Sequence, residues 1–180
     1  MAPGKGIIVK VVEKLFREVE GDVAKGVARD AERKPLALPP GRATRSHSQV
    51  RNIKDGRTRW QAAEQNARER WGGGPEQSYR TPAGKERKVD CPVQTPHGTV
   101  AVEVKMYQRY RRVALADGTS VSQKVEVPLS TKIQDQIDKD IALRNANPRY
   151  DPRWEFQGAG PSDELRKYLV DSGIVFIEIH

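Results

Sequence analysis

Cysteine is almost missing from this chain: Cys91 is the only one among 180 residues. A lone thiol forms no disulfide within the chain and builds no cysteine zinc finger. Histidine is nearly as scarce. His47, His97 and His180 have no second metal ligand at a useful spacing, which argues against a histidine-based metal nuclease. Long apolar runs are lacking as well, and none approaches the ~18–20 residues of a membrane span. Behind Met1-Ala2-Pro3-Gly4-Lys5-Gly6 the only unbroken apolar stretch is Ile7–Val9, too short for the core of a signal peptide. The expectation is a soluble protein with no membrane span, outside the general export route. No internal repeat and no low-complexity tract divides the sequence. A chain of this length buries roughly 70% of the surface its unfolded form exposes, so one core can hold it without disulfides.

Positive charge is in excess. There are 32 Lys and Arg against 24 Asp and Glu, a formal net charge of +8. The excess is uneven: 14 basic against 7 acidic side chains in residues 1–60, 10 against 7 in 61–120, and 8 against 10 in 121–180. A polyanion would meet the first two thirds, and the last third reads as scaffold.

Hydrophobic spacing divides the chain. Ile8, Val11, Val12, Leu15, Val19 and Val23 predict an amphipathic helix over 7–31. Pro35, Pro39 and Pro40 follow as a stiff linker, which places a boundary at residue 45 and a compact domain over 46–180. Residues 41–59 are basic and poor in large apolar side chains, and read as a surface loop. A helix over 57–71 would bury Trp60, Ala63, Ala67 and Trp71, and Gly72-Gly73-Gly74-Pro75 stops it. Strands are expected over 86–94 and 99–106, then a hairpin with arms 109–116 and 121–127 around Asp117-Gly118. Ser130 can cap a helix over 131–146. A short strand around Trp154 and Phe156, a helix over 162–171 closed by Gly173, and a central strand over 174–179 complete a mixed α/β pattern.

The hairpin 86–106 carries the chemistry. If the tetrad Thr95-Pro96-His97-Gly98 closes it, Gln94 faces Thr99, Val93 meets Val100, Cys91 meets Val102 and Val89 meets Val104. That face is apolar, which supports the register. The opposite face pairs Asp90 with Glu103 and Lys88 with Lys105. Two carboxylates ~5 Å apart repel by roughly 1–3 kcal/mol, so such a pair calls for a cation, a retained proton or water between them. Oxygen ligands suit Mg²⁺ or Mn²⁺ rather than zinc. With Lys105 at the rim, the set fits phosphodiester hydrolysis: the metal polarises the phosphoryl oxygen, and the lysine orients water or meets developing charge. The competing reading is a solvated hairpin face, because about one Glu-x-Lys is expected by chance at this composition. Glu86-Arg87-Lys88 reads as that solvated case.

Val89-Asp90-Cys91-Pro92-Val93, the His97-Gly98 turn and Val100-Ala101-Val102-Glu103-Val104-Lys105 resemble the PD-(D/E)xK nuclease superfamily. Gln136-Ile137-Asp138-Lys139-Asp140, Trp154-Glu155-Phe156, Gly160-Pro161-Ser162 and Gly173–His180 are similar to a branch found as toxin domains of bacterial polymorphic and contact-dependent toxins. The resemblance covers residues 57–180, and its Pro-Asp step is here Val89-Asp90. It implies a restriction-endonuclease-like αβββαβ core with a mixed central sheet flanked by helices, to which the N-terminal helix is added. It implies Asp90 and Glu103 as metal ligands for Mg²⁺ or Mn²⁺ and Lys105 as the catalytic lysine. It adds Glu64 as a further acid and metal ligand from the first core helix, and Gln136 as a polar residue facing the site. The implied function is a metal-dependent endonuclease acting as an antibacterial toxin, with DNA favoured and tRNA as the alternative substrate. The implied setting is the cytoplasm of the producing or target bacterium, reached by a specialised secretion system. A basic cleft is blocked best by complementary charge, so an acidic immunity protein is the expected partner.

Other features stay open between two readings. Tyr107-Gln108-Arg109-Tyr110-Arg111-Arg112 could stack bases and hold phosphates, or form a solvated strand edge. Arg109, Arg111, Arg112, Lys88, Arg57 and Arg59 are the candidate nucleic-acid contacts. Cys91 falls on the apolar face and reads as packing. A metal-independent ribonuclease built on His47 or His97, and a basic nucleic-acid-binding module without catalysis, are the remaining alternatives.

Overall fold

The computed structural model describes residues 45–179. The helix expected over 7–31 and the proline linker lie outside the described residues, as does His180, and the expected boundary at residue 45 falls on the first described residue.

The stretch read as a basic loop contains helix. α1 (His47–Arg51) starts at Ser46, whose Oγ accepts the Gln49 N–H at 3.2 Å while the Ser46 N–H donates to Gln49 Oε1 at 2.7 Å. This reciprocal cap satisfies two donors at once. α2 (Gly56–Trp71) is capped by Asp55, whose Oδ1 accepts the Thr58 N–H at 2.7 Å. It ends at Gly72 with φ 66°, a left-handed turn that favours glycine. Strands follow as β1 (Gln77–Arg80), β2 (Glu86–Val89), β3 (Cys91–Thr95), β4 (Gly98–Tyr107), β5 (Tyr110–Ala114) and β6 (Ser120–Lys124). Then come α3 (Thr131–Ala146), β7 (Tyr150–Gly158), α4 (Asp163–Asp171) and β8 (Val175–Ile179). Ser130 and Ser162 cap α3 and α4 as their sequence positions predict.

The main sheet has the order β3-β4-β7-β8. β3 and β4 are antiparallel, while β4–β7 and β7–β8 are parallel, so the sheet is mixed. Helices flank it. On one face Ala63, Ala67 and Trp71 of α2 and Val50 of α1 pack against Cys91, Val100, Val102 and Val104. On the other, Ile133 and Ile137 of α3 and Leu165 and Leu169 of α4 pack against Trp154 and Phe156. β1–β2 and β5–β6 form separate two-stranded sheets.

The turn 95–98 sets the expected register: Cys91 faces Val102, Val93 faces Val100 and Gln94 faces Thr99. The expected strand 86–94, however, is broken at Asp90. Beyond the break β2 pairs with β1, with Val89 opposite Gln77 and Lys88 opposite Ser78. Val89 therefore does not meet Val104. It packs with Ala101, Leu143 and Tyr150 instead. Two further expectations are corrected. Trp60 is 42% exposed, because the buried face of α2 runs through Ala63, Glu64, Ala67 and Trp71. β8 is an edge strand with Val175 exposed, and the central places belong to β4 and β7. No helix among the described residues is long and apolar enough to cross a membrane.

Candidate functional site

The break at Asp90 builds the site. Past Val102, β4 has no β3 residue to pair with, and the Asp90 side chain takes over. Its Oδ2 accepts the Val104 N–H at 2.9 Å, and its carbonyl accepts from Arg68 Nε at 3.1 Å. The carboxyl is thereby fixed and buried beside the strand that carries Glu103 and Lys105.

Glu103 lies opposite Trp154 of β7, on the α3 face of the sheet. It is 2% exposed. Its Oε1 accepts from Lys105 Nζ at 2.5 Å and from Gln136 Nε2 at 3.0 Å, and its Oε2 accepts from Arg87 Nη1 at 3.0 Å. Lys105 Nζ also donates to Gln136 Oε1 at 2.9 Å and sits 5.0 Å from the Trp154 ring centroid. Glu64 faces this group from α2. Its Oε2 accepts from Arg68 Nη2 at 3.2 Å, while its Oε1 is buried with no hydrogen-bond partner. The structure thus brings Glu64, Asp90, Glu103, Lys105 and Gln136 to one locality.

Burial pushes the Asp90 carboxyl up to about 8, reinforced by the nearby Glu103 and Glu64 charges and opposed by the Val104 N–H. Burial also raises Glu64, against the pull of Arg68. Glu103 goes the other way: burial alone would raise it, but Arg87 and Lys105 outweigh that and hold it below the usual carboxylate range. The local charges do not balance. Arg68, Arg87 and Lys105 face Glu64, Asp90, Glu103 and Asp140, so the group is one positive charge short with every carboxylate ionised. A proton on Asp90, shared toward Glu64, restores neutrality, and so would a bound cation.

Among the described residues no three His, Cys, Asp or Glu side chains form a ready cage for a metal ion. A hard cation does not require one, since Mg²⁺ binds through one or two carboxylates and keeps several waters. Glu64 Oε1, which has no donor, and the Asp90 carboxyl, a weak acid in this buried setting, fit that demand once the Asp90 proton is displaced. Glu103 is the least available of the three expected ligands, because both of its oxygens already accept bonds from the protein's own donors.

The expected nucleic-acid contacts scatter. Lys88 does not face Lys105; it is exposed on the β1–β2 hairpin and pairs with Glu76 at 3.4 Å. Arg57 is exposed in the first turn of α2, and Arg59 Nη1 donates to the Ile53 carbonyl at 2.7 Å. Arg109 lies over the Tyr110 ring at 5.8 Å, and Arg111 donates to Gln123 Oε1 at 2.8 Å. Arg112 is exposed on the opposite face of the β5–β6 ribbon, with Ser122 across from it. Cys91 is fully buried and burial pushes its thiol up to about 12, which suits packing rather than nucleophilic attack.

The sequence reading missed Arg87 and Asp140. Arg87, read as solvated, is 2% exposed and forks onto Asp140, which is 1% exposed. Alternation held the signal: Arg87 is two residues from the buried Val89 and shares its face. Asp140 is four residues after Gln136 on α3, hence on the same side of that helix.

No family model matches the chain, and no curated protein matches it. Among solved structures, the crystal structure of a protein of unknown function, AF1548, matches with a TM-score of 0.41 and 12% identity. The match covers 58% of this chain and 47% of that one, so the likeness spans less than half of AF1548.

Proposed function

We propose that the chain is an endonuclease that hydrolyses phosphodiester bonds in nucleic acid with the help of Mg²⁺ or Mn²⁺, DNA being the favoured substrate. One observation carries the reading: the Lys105 ammonium is held by Glu103 beside a buried Glu64–Asp90 carboxyl pair, in a group that is one positive charge short. Glu64 and Asp90 would hold the cation. When bound, the cation supplies polarisation of a phosphoryl oxygen and a more acidic water. Glu103 and Gln136 grip Lys105 from two sides, leaving its ammonium to orient water or meet charge developing on the phosphoryl group. Gln136 also donates to Glu103, so the three side chains brace one another.

The order of elements supports the same reading. A helix with an acid, a strand pair broken at Asp90, a strand with Glu103-x-Lys105, a helix with Gln136 and a parallel strand come in the order that the sequence resemblance implies. The role as an antibacterial toxin and the acidic immunity protein rest on the sequence resemblance and the basic charge. Buried carboxylates at an electrostatic cost argue against a module that only binds.

The test is incubation of purified protein with plasmid DNA and with total tRNA, each in Mg²⁺, Mn²⁺ or EDTA. Plasmid cleavage that EDTA stops and Lys105→Ala abolishes is the expected result. Cleavage of tRNA alone moves the substrate to RNA. Neither substrate being cut under any of these conditions sinks the proposal.

A further inference from the structure

Among the described residues, the Arg87–Asp140 pair is held by many bonds, yet the hydrolytic reading leaves it without a task. Arg87 Nε and Nη2 donate to Asp140 Oδ1 and Oδ2 at 2.8 and 2.9 Å, a bidentate fork. Asp140 is bound from two further sides, by Tyr150 Oη at 3.0 Å and Trp154 Nε1 at 3.2 Å. Four donors from β2 and β7 thus fix one carboxylate of α3. With Nε and Nη2 committed, Arg87 Nη1 points to Glu103 Oε2 at 3.0 Å and also donates to the Lys88 carbonyl.

We propose that Arg87, anchored by Asp140, is a positioning residue: it fixes the Glu103 carboxylate and, through it, the aim of the Lys105 ammonium. The proposal rests on the hydrolytic reading of the site. Glu103 has two oxygens and the protein gives each its own donors. Arg87 takes Oε2, so Oε1 is turned to Lys105 and Gln136. Both clamps start on one helix. Gln136 reaches Glu103 directly, and Asp140, one turn further along α3, reaches it through Arg87. A shift of α3 would therefore move both oxygens of Glu103 together and carry Lys105 with them.

A buried ion pair is a weak source of stability, since desolvating the charges offsets most of their attraction. That makes a purely structural purpose for Arg87 the poorer account of a triad this deep. Lysine in its place would keep the charge but not the three-way fork.

Two variants test the idea: Arg87→Lys, and Arg87→Met combined with Asp140→Asn. The second removes both charges, so no buried charge is left unpaired, while the new amide oxygen still accepts from Tyr150 or Trp154. Each is checked for fold by circular dichroism, assayed on plasmid DNA in Mg²⁺, and acetylated without metal, with lysine labelling mapped by mass spectrometry. The expected result is a folded protein with kcat down ~10- to 10²-fold and KM within ~2-fold, because the reacting group is misaimed rather than substrate lost. Lys105 should also become several-fold more reactive to acetylation while exposed Lys124 and Lys167 do not change. A folded variant with unaltered kcat, or unaltered Lys105 labelling, overturns the proposal. Failure of both variants to fold overturns it too, because Arg87 would then be a structural residue. Labelling needs no substrate, so it decides the positioning of Lys105 even if the wild-type protein cuts no nucleic acid.

Discussion

The Asp90 carboxyl accepts the Val104 N–H at 2.9 Å, standing in for a strand where β3 stops pairing with β4. The same carboxyl is pushed up to about 8 by burial and by Glu103 and Glu64. Folded protein therefore keeps a proton on Asp90 that unfolded chain has released above the ordinary aspartate value of about 3.9. Between these two values the native state binds more protons, so stability falls as pH rises and levels off above about 8. Asp90→Asn keeps an acceptor for Val104 and sheds the charge. Thermal melts without divalent ions should show the variant well above wild type at pH 9 and close to it at pH 4. Asp90→Ala should melt below Asp90→Asn at every pH, since a buried N–H without an acceptor costs ~1–3 kcal/mol. Parallel wild-type and Asp90→Asn curves from pH 4 to 9 would contradict this account.

A divalent cation must compete with that proton. Mg²⁺ should raise the melting temperature more at pH 8.5 than at pH 6, with EDTA reversing the gain. At a concentration 100 times Kd the gain corresponds to ~2.7 kcal/mol. Glu64→Gln and Asp90→Asn should each shrink it, because they remove the two carboxyls with capacity to spare. An equal gain at both pH values, or an intact gain in Asp90→Asn, would move the cation elsewhere.

Lys105→Ala and Glu103→Gln should each cost at least ~10²-fold in cleavage rate. Their stabilities should differ. Lys105→Ala widens the charge deficit but leaves Glu103 with Arg87 and Gln136, which occupy both of its oxygens, so its loss in melting temperature should be the smaller of the two. Glu103→Gln removes the charge that Arg87 and Lys105 share and turns one acceptor oxygen into a donor, and breaking a buried pair in this way costs up to ~3–5 kcal/mol. Equal stability in the two variants would mean that Glu103 is not the anchor its hydrogen bonds describe.

Much of this arrangement was legible because its causes are local. Alternating valines and a four-residue turn set the β3–β4 register, and serine caps set the starts of α3 and α4. That register singled out Asp90, Glu103 and Lys105, although the pairing stops at Cys91–Val102 and Asp90 meets β4 through the Val104 N–H rather than opposite Glu103, while Glu64 and Gln136 needed the resemblance. The break at Asp90 was hidden, because the apolar parity of Val89, Cys91 and Val93 runs straight through it. What makes the break is β1, a polar four-residue strand that becomes visible only through its pairing with β2. Arg87 escaped for a similar reason, since its partner Asp140 lies 53 residues away. β8 looked central because its run is apolar, yet Val175 is exposed, the other residues are half-buried and only one edge of the strand is paired.

The β5–β6 ribbon separates its arginines. Arg111 is held by Gln123, whereas Arg112 is exposed on the other face beside Ser122, on the side that carries Tyr110 and Lys124. If the ribbon meets duplex phosphate, Arg112→Ala should weaken DNA binding in EDTA and lower the salt slope by ~0.9. Arg111→Ala should do less, because its guanidinium must first leave Gln123. Fluorescence anisotropy between 50 and 200 mM salt reads both, and equal effects would refute the division of labour.

The chemistry described lies within residues 45–179, which makes a truncation informative. Asn66 Nδ2 donates to the Arg45 carbonyl at 2.8 Å, so α2 is tied to the chain just before α1. Val50 is fully buried among Ala63, Ala67 and Trp71, on the helix that presents Glu64 and Arg68. Deleting residues 1–40 keeps both contacts and should leave nuclease activity largely intact. Deleting residues 1–52 removes them, and burial of one valine alone accounts for ~1.5–3 kcal/mol. The longer deletion should melt earlier and lose activity in step with its loss of fold, because α2 would no longer be pinned against Cys91 and Val102. Circular dichroism melts and plasmid cleavage on both truncations give the answer. A 1–40 deletion that is folded but inactive would mean that basic residues within 1–40 hold substrate, and the catalytic unit would then begin earlier in the chain.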